Sequence, residues 1–247
     1  SIITNIGPAH ISNFNNQKEI ANEKSDIFNF AENNISIIPK DTEFYELILR
    51  KSKKKSLNTF SFGFDKMSDF HVHKVKKYRN NQLEITYKLL DEKVKIICNN
   101  LGYHWIINRL IIFATSKVLD INLQTVKKKI SELEPEDGRG KIKKVFFRKK
   151  NIFLLDDSYN SNPLSLEASL STFKNFPDKK QQRKICIIGD MLELGNKSKK
   201  FHELITEKII LSKPNIVYTI GTFSETINKN LPDNIQSFHY NDITSLY

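Results

Sequence analysis

The sequence predicts an α/β protein of two units, on three observations. Helical and extended apolar periodicities alternate along most of the 247 residues. A block of short alternating runs over 57–99 interrupts that alternation, and the strands far beyond it are near-continuous apolar runs, as a parallel sheet covered on both faces requires. The turn-forming stretch Glu134-Pro135-Glu136-Asp137-Gly138 sets the boundary, giving domains at 1–137 and 138–247.

The first unit reads as a buried strand over 1–6, a helix over 17–31, a short strand over 35–38 and a helix over 43–50. The alternating runs Phe60-Ser61-Phe62, His71 to Val75, Leu83 to Tyr87 and Val94 to Ile97 then predict an antiparallel meander inserted into the α/β unit. Helices follow over 102–119 and 123–133. In the second unit the expected order is a buried strand over 152–155, a helix from Pro163, a strand over 185–188, a helix from Ser198 and a strand over 216–220. Such a doubly wound unit places its ligand crevice at the carboxyl ends of the strands.

Composition narrows the class. With 39% hydrophobic and 27% charged residues, 8 Gly, 7 Pro and 2 Cys, the chain is neither disordered, collagen-like nor stapled by disulfides. The longest apolar stretch, 105–119, is broken by Asn108, Arg109 and Lys117 and falls short of the roughly 18 to 20 residues of a bilayer span. A soluble protein without a membrane span is expected. Cys98 and Cys186 sit among Val and Ile without Cys-x-x-Cys spacing and read as buried thiols of a reducing cytoplasm. The formal charge is +11, yet the lysine clusters (53–55, 127–129, 143–144, 149–150) are dispersed and mostly lack interleaved aromatics. They predict solvated faces rather than a nucleic-acid site. The opening Ser1-Ile2-Ile3 falls directly inside an expected strand, which suggests a piece of a longer chain.

Several residues are placed to carry chemistry. The run Ile152 to Leu155 drives into Asp156 and Asp157, then a polar turn, then a helix with Asn162 as N-cap and Pro163 in its first turn. Carboxylates at such a strand end can accept hydrogen bonds from ribose hydroxyls or help to hold a hydrated metal, and equally can cap the turn. Gly189-Asp190-Met191-Leu192-Glu193-Leu194-Gly195 repeats the arrangement after the next strand, which would set two acidic strand ends on one rim. Lys24 falls in the middle of an apolar face marked by Ile20, Ala21, Ile27, Phe28 and Ala31, where an amine must snorkel, find an anion or be modified. His10 follows the opening strand at its carboxyl end, suited to metal or phosphate contact or simply solvated. His104 and Asn108 share one helix face at i, i+4 and could present an amide to a base edge or be satisfied in the core. Arg139 lies between Gly138 and Gly140, where a phosphate can approach closely. No Gly-x-x-x-x-Gly-Lys-Ser/Thr loop occurs, so any nucleotide site built from this chain alone is incomplete.

Taken in order, six segments resemble the Mur ligase family, in the branch whose substrates are UDP-N-acetylmuramoyl-tripeptide and D-alanyl-D-alanine. They are Thr4 to His10, Ala21 to Phe28, Gly102-Tyr103-His104 with Asn108, Gly138-Arg139-Gly140, Asp156 to Pro163, and Gly189 to Gly195. The resemblance implies a partial central P-loop-type ATPase domain, a parallel sheet with inserted antiparallel strands, followed by a Rossmann-like C-terminal domain. It implies that the family's sugar-nucleotide domain and phosphate loop lie upstream of Ser1, that the C-terminal domain is cut short, and that this chain alone is inactive. The implied chemistry is ATP-dependent amide formation through an acyl phosphate, by a cytoplasmic monomer with ATP and magnesium as cofactors.

Residue by residue, Lys24 matches the family lysine that is carbamylated to hold magnesium, and His10 matches a ligand of the same site. Asn108 matches an adenine contact, Arg139 a phosphate contact and Asp157 a ribose contact, with Tyr159 beside it at the nucleotide. Asn160, Ser161 and Asn162 are implied to face the dipeptide. Two departures stand out: Trp105 replaces the family's Asn after the His, and Ile38-Pro39-Lys40-Asp41 replaces Asn-x-Asp-Asp. Alternatives are another ligase of the superfamily, such as one for folylpolyglutamate, and a non-catalytic basic module for nucleic acid.

Overall fold

In the first unit the β-branched and aromatic runs pair into one mixed sheet. A computed structural model describes every residue except 9–10, 32–33, 79–81, 100–101, 177–182 and 247. The chain divides into Ser1–Gly7 with Phe14–Glu134, and Pro8–Asn13 with Pro135–Tyr247. Strands β1 (Ile35–Pro39), β2 (Asn58–Gly63), β3 (Phe70–Lys77), β4 (Gln82–Leu89) and β5 (Glu92–Asn99) lie side by side in chain order. β1, β2 and β3 run parallel, and β3, β4 and β5 antiparallel. The meander thus extends the parallel sheet through β3. The expected strand over 1–6 shrinks to a single parallel bridge between Ile2 and Ile37, held by Ile3 N–H on the Ile37 carbonyl at 3.1 Å and Ile37 N–H on the Ser1 carbonyl at 3.0 Å. Gly7-Pro8 follows too soon for a longer ladder.

Four helices cover this sheet: α1 (Gln17–Ser25), α2 (Tyr45–Lys54), α3 (Tyr103–Val118) and α4 (Leu123–Glu132). α1 begins because Asn16 accepts the Glu19 N–H at 3.1 Å, and α4 because Asn122 accepts the N–H groups of Gln124 and Thr125. Successive strand residues face opposite ways. Ile37 therefore joins a core of Phe62, Tyr87, Ile96, Leu110 and Phe113, while Ile38 joins Ile3, Ala21, Phe28, Ile48 and Leu57 on the other side. Full burial of a side chain such as Leu110 or Phe113 contributes about 1.5 to 3 kcal/mol. Ser36, Ser52 and Thr59 satisfy one another by hydroxyl hydrogen bonds of 2.6 to 3.0 Å, so the polar junction of β1, β2 and α2 is buried without orphaned groups.

The largest fully buried polar side chain lacks such compensation. Arg109 on α3 is 2% exposed, and its Nε and Nη2 have no hydrogen-bond partner among the described residues. Its guanidinium lies 5.7 Å from the Trp105 ring centroid, a cation–π contact that offsets only part of the desolvation. Arg109→Met keeps the volume and removes the charge. It is expected to stabilise the protein by about 1 to 3 kcal/mol, read as a higher urea midpoint at unchanged slope.

In the second unit, β8 (Ile185–Gly189), β9 (Ile216–Ile220) and β10 (Gln236–Tyr240) form a parallel sheet in the order β10-β9-β8. Helices α5 (Pro163–Asn175), α6 (Ser198–Leu211) and α7 (Glu225–Lys229) accompany it. The expected buried strand over 152–155 is corrected. It is the core of β7 (Lys150–Asp156), which pairs antiparallel with β6 (Lys141–Phe147) in a separate two-stranded ribbon, and most of its side chains are exposed. β6 escapes the sequence reading because Lys141, Lys143 and Lys144 interrupt its apolar pattern and its turn, Arg148-Lys149, carries neither Gly nor Asn. Cys98 and Cys186 are both free and buried, and burial pushes the Cys186 thiol up to about 12.

Candidate functional site

In the first unit the candidate residues cluster less tightly than spacing suggests. Lys24 is exposed at the end of α1, and Ser25 takes the buried position, its hydroxyl bonded to the Ala21 carbonyl at 2.6 Å. The reading of Lys24 as the centre of an apolar face is therefore corrected: α1 tightens into a 3-10 turn at Asp26–Phe30, which changes the angular spacing and leaves Ile27 exposed. The amine is nonetheless anchored. Its Nζ donates to the Asn5 carbonyl at 3.0 Å, and partial burial holds its pKa below that of a solvated lysine. His10 lies outside the described residues. Among those described, no group of three or more His, Cys, Asp or Glu is arranged to hold a metal.

Asn108 is exposed on α3, one residue from buried Arg109, so it is not a core amide. His104, one turn earlier, is half-buried beside Trp105, with ring centroids 6.1 Å apart. Asp41 accepts the N–H groups of Phe64 and Asp65 at 2.6 and 3.1 Å. In place of the family's polar stretch, that carboxylate closes the loop after β2.

The second unit holds the tighter constellation. Gly138 and Gly140 adopt φ of +76° and +84°, which lets the loop fold against the end of β7. Gly140 N–H bonds the Asp156 carbonyl at 2.8 Å, and Tyr159 N–H bonds the Gly138 carbonyl at 3.0 Å. A side chain at Gly138 would meet Tyr159 at 3.2 Å. This stitching lays the Arg139 guanidinium on the Tyr159 ring, 4.0 Å from its centroid, with Tyr159 68% exposed. The Arg139 Nε also lies 3.9 Å from Glu136 Oε2, a loose and exposed ion pair that a bidentate oxyanion could displace. Asp156 accepts from Ser158 Oγ at 2.7 Å and Lys143 Nζ at 3.3 Å, and the Ser158 hydrogen bond is the main cause of its lowered pKa. Asp157 accepts a hydrogen bond from Ser169 on α5.

Asn160 turns back on the Ser161 N–H at 2.8 Å. Asn162 caps α5 in a full capping box with Ser165, each bond 3.0 Å, with Pro163 in the first turn as spacing predicts. The second acidic strand end is corrected. β7 and β8 belong to different sheets, and Asp190 accepts the N–H groups of Phe223 and Ser224 at 3.0 and 2.7 Å. His202, missed from the sequence, pins the same loop. Its Nε2 accepts the Met191 N–H at 3.0 Å and its Nδ1 donates to the Ser198 carbonyl at 2.7 Å. Within this unit Ser12 N–H bonds the Glu193 carbonyl at 3.2 Å.

Comparison with known proteins places this arrangement. Residues 1–116 match the Mur ligase middle domain, and residues 144–246 match the Mur ligase, glutamate ligase domain. The chain belongs to the Mur ligase family. The UDP-N-acetylmuramoyl-tripeptide--D-alanyl-D-alanine ligase of Rickettsia prowazekii is 29% identical over 248 residues, covering 100% of this Mur ligase chain and 54% of the relative. The Escherichia coli protein of the same name is 26% identical, covering 92% of the chain and 49% of the relative. This Mur ligase chain thus spans about half the length of the curated relatives it matches. In fold it resembles MurF from Acinetobacter baumannii, with a TM-score of 0.81 at 21% identity over 97% of this chain and 49% of that one. A MurF ligase from Thermotoga maritima in complex with ADP gives 0.74 at 20% identity over 99% and 58%. The α/β class and the two Mur ligase domains are as the sequence predicts. No helix among the described residues is long and apolar enough to cross a membrane.

Proposed function

We propose that this Mur ligase chain contributes its two domains to ATP-dependent amide formation, joining D-alanyl-D-alanine to UDP-N-acetylmuramoyl-tripeptide in cell-wall precursor synthesis. The observation that carries the nucleotide part is the Arg139–Tyr159 stack, a cation held ready for a phosphate beside Asp157. In this reading the tripeptide carboxylate takes the γ-phosphoryl of ATP, and the amine of the dipeptide then displaces phosphate from the acyl phosphate. Positioning and charge neutralisation supply most of the acceleration.

Arg139 holds phosphate oxygens, Asp157 accepts ribose hydroxyls, Tyr159 flanks the nucleotide and Asn108 offers its amide to adenine. Asn160, Ser161 and Asn162 line the dipeptide's approach, Asn162 with the part of its amide that the α5 cap leaves over. Magnesium, when bound, would neutralise phosphate charge, and Lys24 as its carbamate together with His10 would hold it. The depressed pKa of Lys24 supports this fit, since only a neutral amine adds carbon dioxide. The protein so read is a cytoplasmic monomer that takes no nucleic acid as substrate.

The test is phosphate release by the whole ligase with UDP-N-acetylmuramoyl-tripeptide and a panel of amines. Turnover with D-alanyl-D-alanine and not with glutamate supports the reading, and turnover only with glutamate and a folate acceptor overturns it. Arg139→Ala is expected to raise the KM for ATP about tenfold or more, the worth of one charge-assisted hydrogen bond, with a smaller change in kcat. Lysine at this position should recover little, because an ammonium cannot stack and fork together.

A further inference from the structure

We infer that Lys143 is a positioning residue of the nucleotide site, clipping the Gly138-Arg139-Gly140 loop to the strand end that carries Asp157 and Tyr159. The role rests on the reading of Arg139, Asp157 and Tyr159 as nucleotide contacts, and Lys143 fills it through its neighbours rather than by touching the nucleotide. Lys141 and Lys143 are two apart on β6, so both amines leave the same face of the strand. They end differently. Lys143 Nζ reaches two carboxylates, Asp137 Oδ1 at 3.2 Å and Asp156 Oδ2 at 3.3 Å. Among the described residues Lys141 pairs with Asp137 alone, at 3.2 Å.

Asp137 immediately precedes Gly138, and Asp156 immediately precedes Asp157. One ammonium therefore spans the two loops whose backbones meet through Gly140 N–H on the Asp156 carbonyl and Tyr159 N–H on the Gly138 carbonyl. Asp156 divides its carboxylate between them. Its Oδ1 takes the Ser158 hydroxyl at 2.7 Å and fixes its own turn, while Oδ2 ties that turn across to Lys143. Arg139 needs such a tie because a residue between two glycines has little backbone restraint of its own. Without it nothing but two backbone hydrogen bonds would keep the guanidinium on the Tyr159 ring, 4.0 Å away.

Burial separates this clip from the ion pair beside it. The Lys143 and Asp156 side chains are 33% and 20% exposed, against 53% and 87% for Arg139 and Glu136. Solvent and salt thus screen the clip less, and Glu136 is the partner that a phosphate displaces. The Lys143 pKa is raised, chiefly by Asp137, while Asp137 is lowered chiefly by Lys141 and Asp156 chiefly by Ser158, so all three groups are charged at neutral pH. A lysine that met phosphate itself would keep its ammonium clear of carboxylates, and this one carries two. Lys143 is an exception to the solvated faces predicted for the lysine clusters.

The test is nucleotide binding by the whole ligase, read as the Kd for ADP by titration calorimetry and as the KM for ATP. Lys143→Met is expected to raise both about fivefold with kcat and melting temperature little changed, the upper end of what such a pair is worth. Lys143→Arg can fork between the two carboxylates and should bring binding back to within about twofold of the parent. Asp137→Asn should weaken binding in the same direction, and combined with Lys143→Met should add little, because both changes open one clip. Lys141→Met removes the same charge from the same face while leaving the bridge, and should change the Kd by less than about twofold.

Tighter binding in Asp137→Asn beside a loss in Lys143→Met would mean an ammonium that meets phosphate directly. Equal losses in Lys141→Met and Lys143→Met would mean general attraction of a polyanion, and a fall in kcat and melting temperature at unchanged Kd a purely structural lysine. Each of these overturns the positioning role. If Lys143→Met binds ADP like the parent while Arg139→Ala binds it about tenfold more weakly, the role of Lys143 fails and the nucleotide reading stands. If Arg139→Ala is equally without effect, both fall.

Discussion

Replacing Lys24 with alanine or with arginine in the whole ligase is expected to lower turnover about 100-fold or more, since even the outer partners of a metal ligand are worth about 10- to 100-fold. Arginine is the informative change. It can still donate to the Asn5 carbonyl that the Lys24 amine reaches at 3.0 Å, so the end of α1 stays anchored. It stays protonated and cannot add carbon dioxide. Partial burial lowers the lysine pKa, which raises the neutral fraction at any pH below it. Carbamate occupancy should therefore increase with pH and with bicarbonate, and a 13C-bicarbonate label should give a carbamate carbon resonance in the parent that both variants lack. Retained turnover in Lys24→Arg would show that the amine acts only as a hydrogen-bond donor or a charge.

How far such a residue is legible depends on whether its surroundings are local. The capping box at Asn162 and Ser165 lies within four residues, and Asn followed by Pro announces it. The His104 and Asn108 spacing also survives, because α3 keeps its regular pitch over 16 residues. Lys24 departs from the same arithmetic because the chain leaves the α-helical pitch at Asp26–Phe30, where Phe28 is buried and Ile27 exposed, so the apolar face does not continue past it as the spacing predicts. Burial of Arg109 is equally hidden, since a guanidinium in the sheet-facing stripe contradicts every compositional expectation. Asp190 looked like a second functional carboxylate because its partners, the N–H groups of Phe223 and Ser224, are 33 and 34 residues away. Ligand-like residues that answer to distant backbone cannot be told from true ligands by spacing.

That distant pairing makes Gly221→Ala the most damaging single methyl group expected in the second unit. Gly221 has φ +116°, outside what an L side chain adopts without strain of about 1 to 3 kcal/mol. Its added Cβ would lie 2.5 Å from the Asp190 carboxyl carbon, and 2.6 and 2.7 Å from the two oxygens. The carboxylate must then leave Phe223 and Ser224, whose N–H groups it caps as a charged acceptor, the two bonds at this partly exposed site together worth about 2 kcal/mol. Together these predict a loss of about 3 to 5 kcal/mol, lowering the melting temperature by about 10 °C. Asp190→Ala alone removes the two hydrogen bonds without strain and should cost about 2 kcal/mol. The two changes meet at one carboxylate, so the double variant should be more stable than the sum of the single losses predicts: with Asp190 shortened, the methyl group at 221 has room and only the backbone strain remains. Strict additivity in that cycle would mean that the collision is relieved elsewhere and that the Asp190 loop does not depend on the glycine beneath it.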